Sequence, residues 1–122
     1  IIRGICCLQS GITGVTDNIE VISIVGRYLE HSRIYSFGLG DKQKLYISSG
    51  DWMTRSTQCR VEIAAPIEDP DVKAELNHIV EVMLSDNQNA RIQQPDGCYK
   101  RKKDGLPPLD SQDYFFTVEK YQ

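Results

Sequence analysis

The 122-residue sequence lacks any long apolar run, which excludes a membrane-spanning helix. Such a helix needs about 20 consecutive, mostly apolar residues. No basic stretch precedes an apolar one at the start of the chain, so we expect no signal peptide. The chain also begins without Met, directly on the apolar segment Ile1–Leu8, which is typical of a piece of a longer protein. We therefore expect a cytoplasmic domain of a larger protein, with peripheral membrane association left open.

Cysteines at metal-binding or redox spacing are also missing. The four cysteines are Cys6, Cys7, Cys59 and Cys98, and their spacing fits neither a zinc motif nor a Cys-x-x-Cys pair. Cys6 and Cys7 are adjacent on a predicted buried strand, where free thiols behave as small hydrophobic groups. The sequence therefore predicts no metal site and a reducing compartment.

An excess of positive charge is absent as well. Fourteen basic residues stand against 17 acidic ones, for a net charge of −3, whereas nucleic-acid-binding domains are usually basic. We therefore expect no nucleic-acid partner. The one basic run, residues 100–103, precedes a Gly and a Pro-Pro pair. We interpret it as a solvated tail segment, with a polyanion-binding patch as the alternative.

The residues that are present predict strands followed by a helix. Apolar and β-branched segments predict five strands, at residues 1–8, 19–25, 29–37, 45–48 and 60–65. A helix is expected to begin after the N-cap Asp69, because Pro70 suits the first helical position and apolar residues follow at helical spacing. It should end near residues 86–89. Residues 93–112 are predicted to be an extended or partly mobile arm, and residues 113–121 a short helix. This order is typical of an α/β (mixed α+β) layered fold.

His31 and Arg33 form the first candidate site. On the predicted strand 29–37 the two side chains would share one face. Arginine supplies a fixed charge and paired donors for a phosphoryl group, and histidine exchanges a proton near neutral pH. The alternatives are a purely structural histidine, and an ion pair of Arg33 with Glu30 or Asp51.

The segment 47–52 forms the second candidate site. Its Ser-Ser-Gly-Asp run follows a predicted strand, so small hydroxyl residues and a glycine would leave backbone and hydroxyl donors free for an anion. Ser49 is the candidate ligand, and an ordinary turn is the alternative.

Together, the H-x-R and S-S-G-D-W segments resemble a degenerate phospholipase D signature, which reads His-x-Lys, then Asp, then Gly-Ser-x-Asn. Arg33 stands where that signature has Lys, Gly38 where it has Asp, and Asp51 where it has Asn. These departures argue against an ordinary phospholipase D hydrolase.

Four collinear blocks resemble the last domain of the long, polyphosphate-synthesising polyphosphate kinases. The blocks are I-R-G-I-C-C-L, S-I-V-G-R-Y-L-E-H-S-R-I-Y, Y-I-S-S-G-D-W-M-T-R and R-V-E-I-A-A-P-I-E-D-P. The resemblance continues through S-D-N-Q-N-A-R and implies a phospholipase D-like domain over residues 1–99, a layered sheet flanked by helices. Residues 100–122 are left as a C-terminal tail that includes the short helix. Ser56 departs from the Asn usual in the family, and we expect a modest local change there.

The resemblance implies reversible transfer of the terminal phosphate of ATP to inorganic polyphosphate. A phosphohistidine in a preceding domain, outside these residues, would carry the phosphate, so the chain alone should be inactive. His31 matches the second active-site histidine, a proton donor or phosphate ligand. Arg3 and Arg60 match arginines that contact nucleotide phosphates, and Arg33 and Ser49 are further phosphate-binding candidates.

The same resemblance implies partners and a metal. ATP or ADP, polyphosphate and the upstream domains are expected partners, in a homo-oligomer. Mg²⁺ is implied with ATP, and its ligands are expected outside this chain.

Structural roles remain open for the two nucleotide-contacting candidates. Arg3 interrupts an apolar segment, a costly place for a charge unless it meets an anion or pairs with a buried carboxylate. Arg60 would begin a strand, where an ion pair with Glu62 or Asp51 is the alternative.

Two other functions remain as alternatives. One is a phospholipase D-type phosphodiesterase that pairs two sites across a dimer. The other is a non-catalytic phosphate-binding or assembly module.

Overall fold

The computed structural model describes residues 1–3 and 6–119, the last two without their side chains. These residues form strands and helices in the mixed α/β class predicted from the sequence. The strands are β1 (Ile22–Ile24), β2 (Ile34–Phe37), β3 (Lys44–Ser48), β4 (Ala64–Ile67), β5 (Ala90–Gln93) and β6 (Tyr99–Arg101). The helices are α1 (Thr54–Gln58), α2 (Pro70–Ser85) and α3 (Ser111–Glu119), and a 3-10 turn covers Gly40–Lys42. The strands belong to two antiparallel sheets of three strands each.

The chain divides into two compact units. The first unit comes from the described residues of Ile1–Glu30 and Val80–Gln122, and the second is His31–Ile79. The first holds the sheet β1-β5-β6, and the second the sheet β2-β3-β4. Helix α2 begins in the second unit and ends in the first.

The core of the first unit lies on one face of its sheet. Ile22, Ile24 and Ala90 are buried there, and Met83 and Ile92 pack against them. β1 and β5 bring Ile22 opposite Ile92 and Ile24 opposite Ala90. Because directly opposed residues share a face, the short strands bury one continuous apolar strip.

Asp86 connects three segments of the first unit. Its side chain is 0% exposed. One carboxylate oxygen accepts hydrogen bonds from the backbone N–H groups of residues 88–90, at 2.7–3.1 Å. The other accepts from the N–H and hydroxyl groups of Ser111, at 2.9 and 2.8 Å. Burial alone would raise the pKa of Asp86, but these hydrogen bonds outweigh it and lower the pKa. This carboxylate therefore fixes the end of α2, the start of β5 and the start of α3 together.

The second unit is built on the β2–β3 hairpin and β4. Leu45 on the central strand is 1% exposed. A reciprocal pair of amide hydrogen bonds joins Gln43 to Asn77 of α2, at 2.8 and 3.0 Å. Pro66 lies in β4, an edge strand, where a residue without an N–H is tolerated.

The predicted helix is confirmed with its cap. α2 runs from Pro70 to Ser85, and the Asp69 carboxylate accepts hydrogen bonds from the N–H groups of Asp71 and Val72, at 2.9 and 3.1 Å. These contacts satisfy two of the N–H groups that a helix start leaves without partners.

Several predicted strands have different bounds. The strand predicted over 19–25 is shorter, at Ile22–Ile24, and the one over 29–37 begins only at Ile34. The one over 60–65 is shifted to Ala64–Ile67, because pairing with β3 starts at Ala64.

The first predicted strand is wrong for its described residues. Residues 1–3 and 6–8 are outside any strand, and Cys7 and Leu8 are exposed. A backbone hydrogen bond from the N–H of Ile2 to the carbonyl oxygen of Ile22, at 2.8 Å, joins the segment to β1. Gly4 and Ile5 lie outside the described residues.

The segment 93–112 is not a mobile arm. β6 pairs with β5, which puts Lys100 and Arg101 in a strand and contradicts the tail interpretation of the basic run. The Asn87 side chain donates to Asp104 and to the Pro107 carbonyl, each at 3.0 Å, and so holds the following loop. The final helix is confirmed from Ser111 to Glu119, and the remainder of the predicted range lies outside the described residues. The boundary that we placed at residue 99 stays a prediction.

Within the described part of the chain, no helix combines the length and apolar character needed to cross a membrane.

Candidate active site

Arg33 and Asp51 form the best-defined polar contact of the second unit. The guanidinium donates from Nε to Oδ1 of Asp51 at 2.8 Å and from Nη2 to Oδ2 at 3.4 Å. This paired geometry is the strong form of an arginine–carboxylate contact. The hydrogen bond from Arg33 lowers the pKa of Asp51, and the same bond raises the pKa of Arg33. Of the alternatives for Arg33, the structure therefore shows the ion pair with Asp51.

Arg33 also holds the backbone of His31. Its Nη1 donates to the His31 carbonyl oxygen at 3.0 Å. The strand alternation expected for these residues is wrong, because β2 begins at Ile34 and both residues precede it. They come together instead through the guanidinium, which bridges the His31 carbonyl and the Asp51 carboxylate. Arginine has five N–H donors, and these contacts leave one on Nη1 and one on Nη2 for another acceptor.

The His31 side chain is exposed. Its imidazole makes no hydrogen bond to any residue that the structure describes. The proximity of His31 contributes to the lowered pKa of Asp51, after the larger effect of Arg33. An exposed imidazole near a fixed carboxylate is free to meet a ligand and to exchange a proton with it.

Donor groups of Ser49 and Gly50 in the Ser-Ser-Gly-Asp loop are already used in hydrogen bonds within the second unit. The Ser49 hydroxyl donates to Oε2 of Glu62 at 2.5 Å and accepts from the N–H of Ile63 at 3.0 Å. The backbone N–H of Ser49 donates to the Ile63 carbonyl and that of Gly50 to the Ser48 hydroxyl. The expectation that these donors are free for an anion is therefore wrong. The assignment of Ser49 as a phosphate ligand stays a prediction and requires Glu62 to move.

Gly50 is required by close packing. A Cβ atom at this position would lie 2.8 Å from Cγ of Glu62, closer than atoms pack. The Gly50 carbonyl accepts a hydrogen bond from the Tyr35 hydroxyl at 2.5 Å. Burial of the phenol raises the pKa of Tyr35, and the Asp51 charge adds to the rise. Tyr35 and Glu62 thus fix the loop that carries Asp51, a role that no sequence motif indicates for either residue.

Arg60 and Arg3 both have exposed side chains. Arg60 follows α1 and precedes β4, in the same unit as His31. Arg3 belongs to the first unit. Neither guanidinium has a hydrogen bond or ion pair to any described residue. The ion pairs considered as alternatives are therefore not formed there, and Arg3 is not a buried charge.

The described residues do not gather a metal-binding group. No cluster of three or more His, Cys, Asp or Glu side chains occurs among them. Asp51 and Glu62 are committed to Arg33 and Ser49. The described residues therefore do not fit an Mg²⁺ site, and the expectation that the Mg²⁺ ligands lie outside this chain stays a prediction. The cysteines are free thiols, three of them exposed.

Comparison with known proteins identifies the family. The family described as "Polyphosphate kinase C-terminal domain 2" matches residues 1–112. The chain belongs to this family.

Relatives named polyphosphate kinase share about half of its residues. The protein from Synechocystis sp. is 49% identical over 120 residues, 98% of this chain and 16% of the relative. The protein from Staphylococcus haemolyticus is 51% identical over 114 residues, 93% of this chain and 16% of the relative. This chain therefore spans about one-sixth of the length of these curated relatives.

The fold matches that of a solved structure. The crystal structure of polyphosphate kinase from Porphyromonas gingivalis aligns with a TM-score of 0.87 and 36% identity, over 96% of this chain and 18% of that one. The mixed α/β domain with two antiparallel sheets is therefore the fold of a polyphosphate kinase domain.

Proposed function

We propose that this chain is the C-terminal catalytic domain of an enzyme that reversibly transfers the terminal phosphate of ATP to inorganic polyphosphate. A phosphohistidine on an upstream domain would carry the phosphate between the two substrates. The observation that most supports the proposal is the exposed imidazole of His31 in a member of the polyphosphate kinase family. The backbone carbonyl of His31 accepts a hydrogen bond from Arg33, which is paired with Asp51.

His31 is the residue of this chain that acts directly on the transferred phosphoryl group. Its carbonyl oxygen is fixed by Arg33 while its ring is free of described partners. A proton given to the leaving phosphate oxygen by a positioned imidazole contributes on the order of 10²–10⁴-fold in rate.

Arg3 and Arg60 neutralise nucleotide phosphates. Phosphoryl transfer depends mostly on positioning and on stabilising charge on the transferred group. Guanidinium groups that have no internal carboxylate partner keep their donors for such a ligand. Neither Arg3 nor Arg60 has a carboxylate partner among the described residues. Arg33, in contrast, uses three of its donors in hydrogen bonds within the protein.

Mg²⁺ enters with ATP in this proposal, as part of the substrate complex. Its ligands come from phosphate oxygens, water and residues outside this chain, and no step depends on a metal site here. Assembly into a homo-oligomer is part of the same proposal.

Replacement of His31 in the complete enzyme tests the proposal. We expect His31→Ala to reduce polyphosphate formation from ATP by a factor on the order of 10²–10⁴. The measurement is the steady-state rate of synthesis, together with the amount of phosphohistidine formed. His78→Ala, a change of the other histidine of the chain within α2, is the matched control and should retain the wild-type rate.

The outcomes separate the competing functions. Unchanged synthesis in a folded His31→Ala enzyme would mean that this domain is a phosphate-binding or assembly module without a catalytic role. Hydrolysis of a phosphodiester reporter that requires His31 would instead favour the phosphodiesterase.

A further inference from the structure

The sheet of the first unit places two arginines directly opposite each other. β5 and β6 pair Arg91 with Arg101, and β1 and β5 pair Ser23 with Arg91. Directly opposed residues lie on one face of a sheet. The structure therefore has a row of Ser23, Arg91 and Arg101 across three strands, which we call the arginine row.

The two guanidinium groups of the arginine row form no ion pair with any residue that the structure describes. Like charges directly opposite each other destabilise a sheet. The ion pairs within the described residues are Arg33–Asp51 and Lys102–Asp104, and neither Arg91 nor Arg101 donates a hydrogen bond to a described residue. An external anion that bridges both guanidinium groups would remove this repulsion.

The surroundings add further positive charge at the sheet edge. Lys103 is exposed two residues after Arg101, and β6 is an edge strand of its sheet. Lys100 is also exposed, but it pairs with Ile92 and so lies on the other face of the sheet. The acidic side chain in the turn between the strands, Asp96, accepts a hydrogen bond from the Cys98 N–H at 2.9 Å. The protein as a whole carries a net charge of −3, so the positive charge at these residues is a local feature.

We propose that the arginine row is a binding site for the linear polyphosphate chain, separate from the residues around His31. The proposal rests on the proposed function, because that function supplies the polyanion. Guanidinium groups bind phosphate oxygens through paired donors, and two of them in register on adjacent strands bind successive phosphates of one strand-like anion. A narrow row on an acidic protein fits a thin, flexible anion better than a duplex or a bilayer, which require a broad basic surface.

The alternative is that the arginine row only protects the sheet edge against pairing with another chain. Charged residues on an edge strand prevent pairing with another chain. That role predicts self-association after the charges are removed, with unchanged affinity for polyphosphate. The polyphosphate site predicts the reverse.

The test is binding of end-labelled, long-chain polyphosphate to the complete enzyme over a series of salt concentrations. We expect Arg91→Gln/Arg101→Gln to weaken binding on the order of tenfold and to reduce the slope of log K against log salt by about one for each arginine. Lys42→Gln/Lys44→Gln removes the same charge from exposed positions of the second unit and should retain wild-type affinity. Arg91→Lys/Arg101→Lys keeps the charge but loses the paired donors, so its affinity should lie between the two.

Kinetics separate this proposal from the proposed function. The glutamine variant should show a raised KM for polyphosphate with a near-normal kcat. If the wild-type enzyme transfers phosphate between ATP and polyphosphate but the glutamine variant keeps wild-type Kd and KM, the arginine row is not a polyphosphate site. If Arg91→Gln/Arg101→Gln and Lys42→Gln/Lys44→Gln lose the same affinity for polyphosphate, net charge alone explains the effect and the arginine row is not a specific site. If the wild-type enzyme transfers no phosphate to polyphosphate, the proposed function itself fails.

The ligand class is tested in the same variants. Single-stranded DNA or vesicles with anionic lipid that bind more tightly than polyphosphate, and lose affinity in the glutamine variant, would overturn the assignment to polyphosphate. A melting temperature of the glutamine variant at or above that of the wild type would show that any loss of binding is not loss of the fold.

Discussion

At the scale of single residues, Arg33 shows how one side chain can position two loops. It reaches the Asp51 carboxylate with two donors and the His31 carbonyl with a third. Lysine has a single ammonium group in place of this planar arrangement. The contact is therefore specific to arginine at the position where the phospholipase D signature has lysine.

We expect Arg33→Lys, with His31 and Asp51 left unsubstituted, to reduce the rate of polyphosphate synthesis. One ammonium group cannot hold both oxygen acceptors in the same geometry, so His31 would lose its fixed position. The measurement is the ratio of kcat to KM for ATP in the variant and in Lys44→Arg, a control that exchanges the same residue types at an exposed site. A fully active Arg33→Lys enzyme would contradict this positioning role.

The pKa of Asp51 provides a second test of the contact between Arg33 and Asp51. The hydrogen bond from Arg33 lowers the pKa of Asp51 in the folded protein. The contact therefore stabilises the fold above the unfolded-state pKa, about 3.9, and this contribution is lost as pH falls through the folded-state value. In Arg33→Gln we expect the pKa of Asp51 to rise towards its ordinary range, measured by titration of the carboxyl carbon signal. An unchanged pKa would contradict the contact.

The sequence identified the residue types of this site but not their partners. Motifs predict His31, Arg33 and Ser49 as site residues, and Asp51 is one of the two partners that the sequence offers for Arg33. Glu62 was missed as the partner of Ser49, 13 residues away. That contact depends on how the segments on either side of β4 fold back, which no local pattern encodes.

At the scale of elements, the start of α2 shows how a cap can be recognised from sequence. Asp69 before Pro70 predicted the N-cap, and the carboxylate accepts both expected hydrogen bonds. We expect Asp69→Ala to lower the free energy of unfolding by about 1 kcal/mol, and Asp69→Ser to recover most of it. Chemical denaturation measures both. Equal losses in the two variants would show that the hydrogen bonds to the cap do not stabilise the helix.

Asp86 is the residue on which several elements of the first unit depend. In Asp86→Asn, an NH₂ group would replace the oxygen that faces the N–H and hydroxyl of Ser111. We expect a loss of about 2–4 kcal/mol in the free energy of unfolding, because buried donors would lose a charged acceptor. Chemical denaturation should show almost no change in the control Glu75→Gln, which alters an exposed carboxylate of α2.

The Asp86 carboxylate also makes the stability of the fold depend on pH. Its pKa is lowered in the folded state, so its contribution to stability is present above the unfolded-state pKa and is lost as the pH falls below it. The Asp86→Asn variant should therefore lose less stability between about pH 5 and pH 3 than the wild type. An equal loss in both proteins would contradict the role of Asp86.

The elements that the sequence missed share a physical cause. α1 has five residues, too few for helical periodicity to be recognised. β6 consists of Tyr99, Lys100 and Arg101, all exposed, so it carries no alternation of buried and exposed residues. Both depend on contacts with other segments, as β6 does on β5. The apolar run at the start of the chain led to the opposite error, because hydrophobicity indicates burial without naming a strand partner.

At the scale of the whole molecule, the question is which histidine carries the phosphate in our proposal and which one assists its transfer. The sequence contains two histidines, His31 and His78. In our proposal His31 assists transfer, and the residue that carries the phosphate belongs to an upstream domain. In the same proposal the chain supplies charge, position and a proton, and the nucleophile belongs to the upstream domain.

We expect the 122-residue chain, incubated alone with ATP labelled on its terminal phosphate, to acquire no acid-labile, base-stable label of the kind that phosphohistidine gives. The complete enzyme under the same conditions should become labelled, and its His31→Ala variant should retain a labelled upstream histidine with slower turnover. Label on the chain alone that disappears in its His31→Ala variant would make His31 itself the phosphate carrier. The division of labour would then be wrong, and Arg33 and Asp51 would position a nucleophile in place of a proton donor.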